Sequence, residues 1–118
     1  MKGTAKQIAW AEDIIQGGEI TIERLMDQLK ELKEKKEAKN QRRVENGKKD
    51  RSEENRIWWK KIENGYANAK KELAGLNEKN AGDIINNRGL YSFYEERDIL
   101  RYSTLAEKIE TQFGVVYR

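Results

Sequence analysis

The stretch Thr21-Ile22-Glu23-Arg24-Leu25-Met26-Asp27-Gln28-Leu29-Lys30-Glu31-Leu32 decides the fold. Ile22, Leu25, Leu29 and Leu32 recur at intervals of three and four, and Met26 widens the stripe. That spacing lines one face of an α-helix and does not fit the alternation of a strand. Thr21 stands where a hydroxyl caps a first turn. Beyond Leu32 the stripe stops: Lys33 to Arg43 favours helix but offers no apolar face. A helix from 22 to about 46 spans roughly 37 Å at about 1.5 Å per residue, more than a domain of this size needs.

Working towards the N-terminus, Thr4-Ala5-Lys6-Gln7 has the spacing of a capping box. Ile8, Ala11 and Ile15 follow on one face, flanked by Trp10 and Ile14. Gly17-Gly18 then supplies a left-handed helix stop, which predicts a separate first helix over 5–16. Working towards the C-terminus, Asn46-Gly47 and the polar residues after it read as a turn, and Ser52 starts another helix. Its face is Trp58, Ile62, Tyr66, Ala69, Leu73 and Leu76. The two stripes predict an antiparallel hairpin over roughly 21–76, apolar at its base and charged at its tip around residues 36–56.

A C-terminal helical segment is predicted over roughly 80–118. Asn80-Ala81-Gly82-Asp83 starts a short helix that buries Ile84 and Ile85 and ends at Gly89. Thr104-Leu105-Ala106-Glu107 repeats the capping-box spacing before Ile109 and Phe113; Gly114 stops that helix, and Val115-Val116-Tyr117 suits a short strand. The expected fold is therefore all-α, a single domain over 1–118 with four to five helices.

Composition narrows the function. Of 118 residues 36% are hydrophobic and 38% charged, which suits one modest core under a large solvated surface. No apolar run reaches membrane-spanning length and no signal-peptide pattern opens the chain, so the expected location is the cytoplasm. Cysteine and histidine are absent. That removes thiolate nucleophiles and zinc ligands, the commonest general base and the commonest transition-metal ligand. The adjacent pairs Glu12-Asp13, Glu53-Glu54 and Glu95-Glu96 diverge on a helix instead of converging on a substrate. No enzymatic activity, cofactor or metal is expected.

The opening Gly3-Thr4-Ala5-Lys6-Gln7-Ile8-Ala9-Trp10-Ala11-Glu12-Asp13-Ile14 resembles that of a loose group of small proteins from bacterial, phage and mobile-element genomes. Those begin Gly-Thr-x-Lys-Gln-x-x-Trp-Ala-Glu-x-Ile, and many carry an Asn-Arg stretch similar to residues 80–88. The two matches cover about a fifth of the chain. The resemblance implies a helical protein from a mobile-element setting and supplies no catalytic residue. Small proteins of that setting include inhibitors of host defence, anti-CRISPR proteins among them.

Charge is unevenly distributed. Residues 30–61 hold 13 Lys or Arg against 7 Asp or Glu, a net +6 in a chain of net +3, so the remainder carries −3. The candidate binding residues are Lys35, Lys36, Lys39, Arg42, Arg43, Lys48, Lys49 and Arg51 at the tip, with Arg56, Trp59 and Lys60 beside them. Cations in this number can grip phosphates independently of base sequence. The competing reading is a solvated helical arm whose charges pair along the helix, as Glu31 with Lys35 and Glu45 with Lys49. Trp58 and Trp59 point about 100° apart on a helix, so one is expected in the core and the other, Trp59, partly exposed as an interaction hot spot or stacking platform; the competing reading is packing against the first helix or the C-terminal segment. Tyr91, Phe93, Tyr94 and Tyr102 beside Arg88, Arg97 and Arg101 suit either core closure or a basic aromatic patch.

The expected function is a non-catalytic binding protein: an inhibitor of a host nucleic-acid-handling nuclease acting by stoichiometric protein binding. The alternatives are direct DNA or RNA binding through the tip, and self-association as a homodimer. No membrane partner is expected.

Overall fold

The computed structural model describes residues 1–103; the predicted helix and strand over 104–117 lie outside them. The fold is all-α. Helix α1 (Ala5–Glu45) and helix α2 (Ser52–Gly75) form the antiparallel hairpin. A single 3₁₀ turn (Leu76–Glu78), a short α3 (Ala81–Asn86), a second 3₁₀ turn (Arg88–Tyr91) and a helical segment over 96–103 fold back on its base. The molecule measures 63 × 34 × 16 Å. Its long dimension is α1 itself, since 41 residues at about 1.5 Å each span roughly 61 Å.

The Thr4 capping box forms as its spacing predicts. Thr4 Oγ1 accepts from the Gln7 amide at 3.2 Å, and the Thr4 amide donates to Gln7 Oε1 at 3.0 Å. At the other end the Asn46-Gly47 turn is a Schellman closure. The Lys48 amide donates to the Arg43 carbonyl and the Gly47 amide to that of Val44, with Gly47 at φ +75°.

The predicted break at Gly17-Gly18 does not exist: α1 runs through it without interruption. Gly18 is there for a different reason. A Cβ at this position would lie 2.7 Å from the Tyr91 carbonyl oxygen and 2.8 Å from Leu73 Cδ2, so only glycine lets the C-terminal chain and α2 approach. Thr21 is not a cap either. Buried inside α1, its hydroxyl donates to the Gly18 carbonyl at 3.3 Å and accepts from the Phe93 amide at 3.2 Å. This ties the returning chain to the helix and satisfies a buried backbone donor. The helix-stopping tendency of two glycines, about 1 kcal/mol each relative to alanine, is outweighed by the buried side chains on both sides.

Among the described residues, all fully buried apolar side chains lie at one end. Ala11, Ile15, Ile22, Leu25, Met26 and Leu29 of α1 meet Ile62, Ala69, Leu73 and Leu76, and are closed over by Ile84, Tyr91, Phe93, Ile99 and Tyr102. The short helix at 81–86 buries Ile84 and Ile85 as predicted, but ends at Asn86 with Gly89 inside the following 3₁₀ turn. The 96–103 segment runs alongside α2 in the same direction, with Glu96 reaching Trp58, Ile99 against Gly65 and Tyr102 against Asn68.

The two adjacent glycines make opposite predictions. Gly17 has open space where its Cβ would stand, so Gly17→Ala should raise stability by up to about 1 kcal/mol through helix propensity. Gly18→Ala should lower it by about 1–3 kcal/mol through overpacking. Denaturant melts of the two variants check this; equal signs would contradict the close approach.

Candidate functional site

Beyond Leu29 the hairpin contains no buried residue until Ile62. It nevertheless stays a paired helix, because the α1 stripe continues in a different chemistry. Lys33, Lys36, Asn40 and Arg43 follow Leu29 at intervals of four, three, four and three, and all are half-buried. Opposite them stand Asn55, Trp58 and Trp59, also half-buried. The Lys33 ammonium lies 5.5 Å from the Trp59 ring centre and that of Lys36 lies 4.7 Å from Trp58. The two cations thus lie over indole rings, an arrangement contributing about 0.5–1 kcal/mol per pair at such exposure. Trp58 and Trp59 stack obliquely, 5.8 Å between centres. Trp59 is partly exposed as expected, whereas Trp58, expected in the core, is half-buried too. Trp58 is further fixed by its Nε1–H donating to Glu96 Oε1 at 2.9 Å.

At the tip Asn40 acts as a clamp. Its Nδ2 donates to Asp50 Oδ1 at 2.8 Å and its Oδ1 accepts from the Arg51 amide at 2.7 Å. Asp50 Oδ1 also accepts from the Ser52 amide at 2.8 Å. Start-of-helix donors of α2 are therefore satisfied from Asp50 and from across the hairpin, with no capping side chain on Arg51. The Asn40 hydrogen bond, then those from Ser52, hold the Asp50 carboxyl below the ordinary aspartate range.

The candidate cations do not act as one group. Lys36, Lys39, Arg43 and Arg51 converge with Asn40 and Asn55 on a cleft of about 150 Å³ on one face of the hairpin. Arg56, Trp59 and Lys60 line a wider depression of about 720 Å³ on another, with Lys33, Val44, Glu37, Glu45, Asp50 and Glu63. Lys35, Arg42 and Lys48 are exposed outside both. Lys49 pairs with Glu54 at 3.4 Å, not with Glu45. Arg56 pairs with Glu53 at 2.6 Å, which raises the arginine and lowers the carboxyl. Another expected helix pair, Glu31 with Lys35, gives way to Lys33 with Glu37 at 3.5 Å.

Asn40 and Asn55 were missed because neither residue type marks a site. The signal that would have found Asn40 is the unbroken spacing of 29, 33, 36, 40 and 43, which continues the helix face through polar residues.

The aromatic patch divides in two. Tyr91, Phe93 and Tyr102 are core, with the Tyr102 hydroxyl donating to the Leu90 carbonyl at 2.8 Å and burial pushing its ionisation well above the ordinary range. Tyr94 alone is exposed, at 69%, beside Trp10 at 50% and an Arg88 guanidinium 5.5 Å over the Trp10 ring. The paired carboxylates diverge: Glu53 and Glu54 meet different cations, Glu95 meets Arg97 and Glu96 meets Trp58. Among the described residues no group of three or more acidic side chains is placed to hold a metal ion, and no helix is long and apolar enough to cross a membrane. No family model matches this chain, and no curated protein or solved structure resembles it significantly.

The clamp carries a pH signature. A depressed carboxyl contributes stability that is present above its ordinary pKa and lost as pH falls through the lowered one. Asn40→Ala should therefore move the Asp50 titration midpoint upward, towards the ordinary range, and speed exchange of the Arg51 amide. NMR titration of both chains tests this; an unmoved midpoint would remove Asn40 as the clamp.

Proposed function

We propose that the protein is a non-catalytic binding protein that engages its partner through the distal half of the α1–α2 hairpin. The observation that carries this reading is that residues 30–61 form a paired helical arm that buries no side chain fully. Such an arm adds little to the core and presents nearly all of its surface outward.

The partner we favour is a protein. The wide depression combines Trp59, Val44 and Arg56 with charges of both signs, a mixture typical of interface hot spots surrounded by polar contacts. An arm of net +6 complements an acidic surface or one that normally receives nucleic acid. Together with the resemblance of the opening residues to mobile-element proteins, this supports stoichiometric inhibition of a host defence nuclease, in the manner of an anti-CRISPR protein, in the cytoplasm. Direct DNA or RNA binding is the second reading, favoured by the narrower cleft, whose lining contains cations and amides only.

Affinity capture from nuclease-treated host lysate separates them. Wild type should retain one partner in stoichiometric amount, and the double variant Trp59→Ala, Arg56→Glu should lose it. Retention of the same proteins by both chains, or of none, contradicts the protein reading. A low-salt mobility shift that weakens steeply with salt and disappears in Lys39→Glu, Arg43→Glu would transfer the function to nucleic acid.

A further inference from the structure

The hairpin tip sorts its charges by face. Between Glu37 and Glu54 no carboxylate lines the narrow cleft. Glu37 pairs with Lys33, Glu45 lines the wide depression, Asp50 is held by Asn40 and the Ser52 amide, Glu53 takes Arg56 and Glu54 takes Lys49. Lys36, Lys39, Arg43 and Arg51 are left together, and none has a carboxylate partner among the described residues. Four like charges around one cleft repel one another, a cost that an anion would reverse.

A second observation concerns Arg43. Its Nε is shut off from solvent and has no hydrogen-bond acceptor among the described residues, so a phosphate oxygen, which is no smaller than water, meets it only after the side chain shifts. A buried guanidinium N–H without an acceptor is costly and uncommon, and calls for an explanation. Arginine's planar fork is the donor geometry that matches oxyanions. The frame around it is fixed. The Arg43 carbonyl accepts the Lys48 amide, the Arg51 amide is locked on Asn40, and the Lys36 ammonium rests over Trp58.

We propose that this cleft, formed by Lys36, Lys39, Arg43 and Arg51 with the Asn40 and Asn55 amides, is a binding site for a phosphate group. With a volume of about 150 Å³ the cleft has room for a tetrahedral oxyanion. The recognised chemistry is the phosphate itself, carried either by a nucleic-acid backbone or by a small phosphorylated molecule. The site belongs to the isolated chain, so it stands or falls independently of whether the arm also docks on a protein.

The test is NMR on the full chain, following the Arg43 Nε–Hε resonance during titration with inorganic phosphate, and separately with a single-stranded oligonucleotide, against sodium chloride at matched ionic strength. Saturable shifts of Arg43 and Arg51, with an apparent Kd of order millimolar for inorganic phosphate, are expected. Arg43→Gln should weaken binding about tenfold, the loss of one charge-assisted hydrogen bond. Lys6→Gln, an equal charge change at the opposite end of α1, should leave it unaltered. If Arg43→Gln loses helicity, Lys39→Gln replaces it. An oligonucleotide that binds more tightly than inorganic phosphate identifies a nucleic-acid backbone as the source; equal or weaker binding identifies a small phosphorylated molecule. Shifts reproduced by chloride, no saturable shift with either probe, or equal weakening by Lys6→Gln overturns the proposal.

Discussion

The structure depends on how α1 and α2 remain paired after their apolar seam ends at Leu29. A two-helix arm without a core has nothing to offset the conformational entropy of ordering it unless side-chain contacts do so. Here the contacts are lysine ammonium groups over indole rings, Lys33 over Trp59 and Lys36 over Trp58, closed at the tip by Asn40 gripping the start of α2. Each is modest. Together they extend the hairpin well beyond the core.

That arrangement has a functional consequence. A conventional apolar seam would have allowed the acidic and basic residues to distribute evenly around the arm. When the seam itself is cationic, Lys36 and Arg43 are brought close to the face bearing Lys39 and Arg51, while Glu37, Glu53 and Glu54 are taken up by other partners. Packing and charge sorting are the same event. The tryptophans thereby serve as supports for the charged surface, each beneath a lysine of the facing helix.

What the sequence made legible was local. The Thr4 capping box, the Asn46-Gly47 closure, the start at Ser52 and the stripes Ile22 to Leu29 and Ile62 to Leu76 depend on residues within a few positions of one another, and each took the form its spacing demands; Leu32, expected to extend the first stripe, is exposed instead. The failures were tertiary. Gly17-Gly18 has the local form of a helix stop, and only the arrival of Tyr91 and Leu73 explains why glycine is needed there while the helix continues. Thr21 has the form of a cap, and its hydroxyl is instead a buried link to Phe93. The candidate cations were identified as a cluster from net charge, but their division into a cleft of four, a paired subset and an exposed remainder required the facing helix.

Residues 33–58 form a folded arm held by weaker contacts than the core beneath them. Native-state amide hydrogen exchange along α1 reads this directly. Two levels of protection are expected: residues 11–29 exchanging only through global unfolding, and residues 33–43 exchanging through a smaller local opening that Asn40→Ala makes easier. Uniform protection along α1, or exchange of 33–43 at the rate of an unstructured peptide, would contradict it.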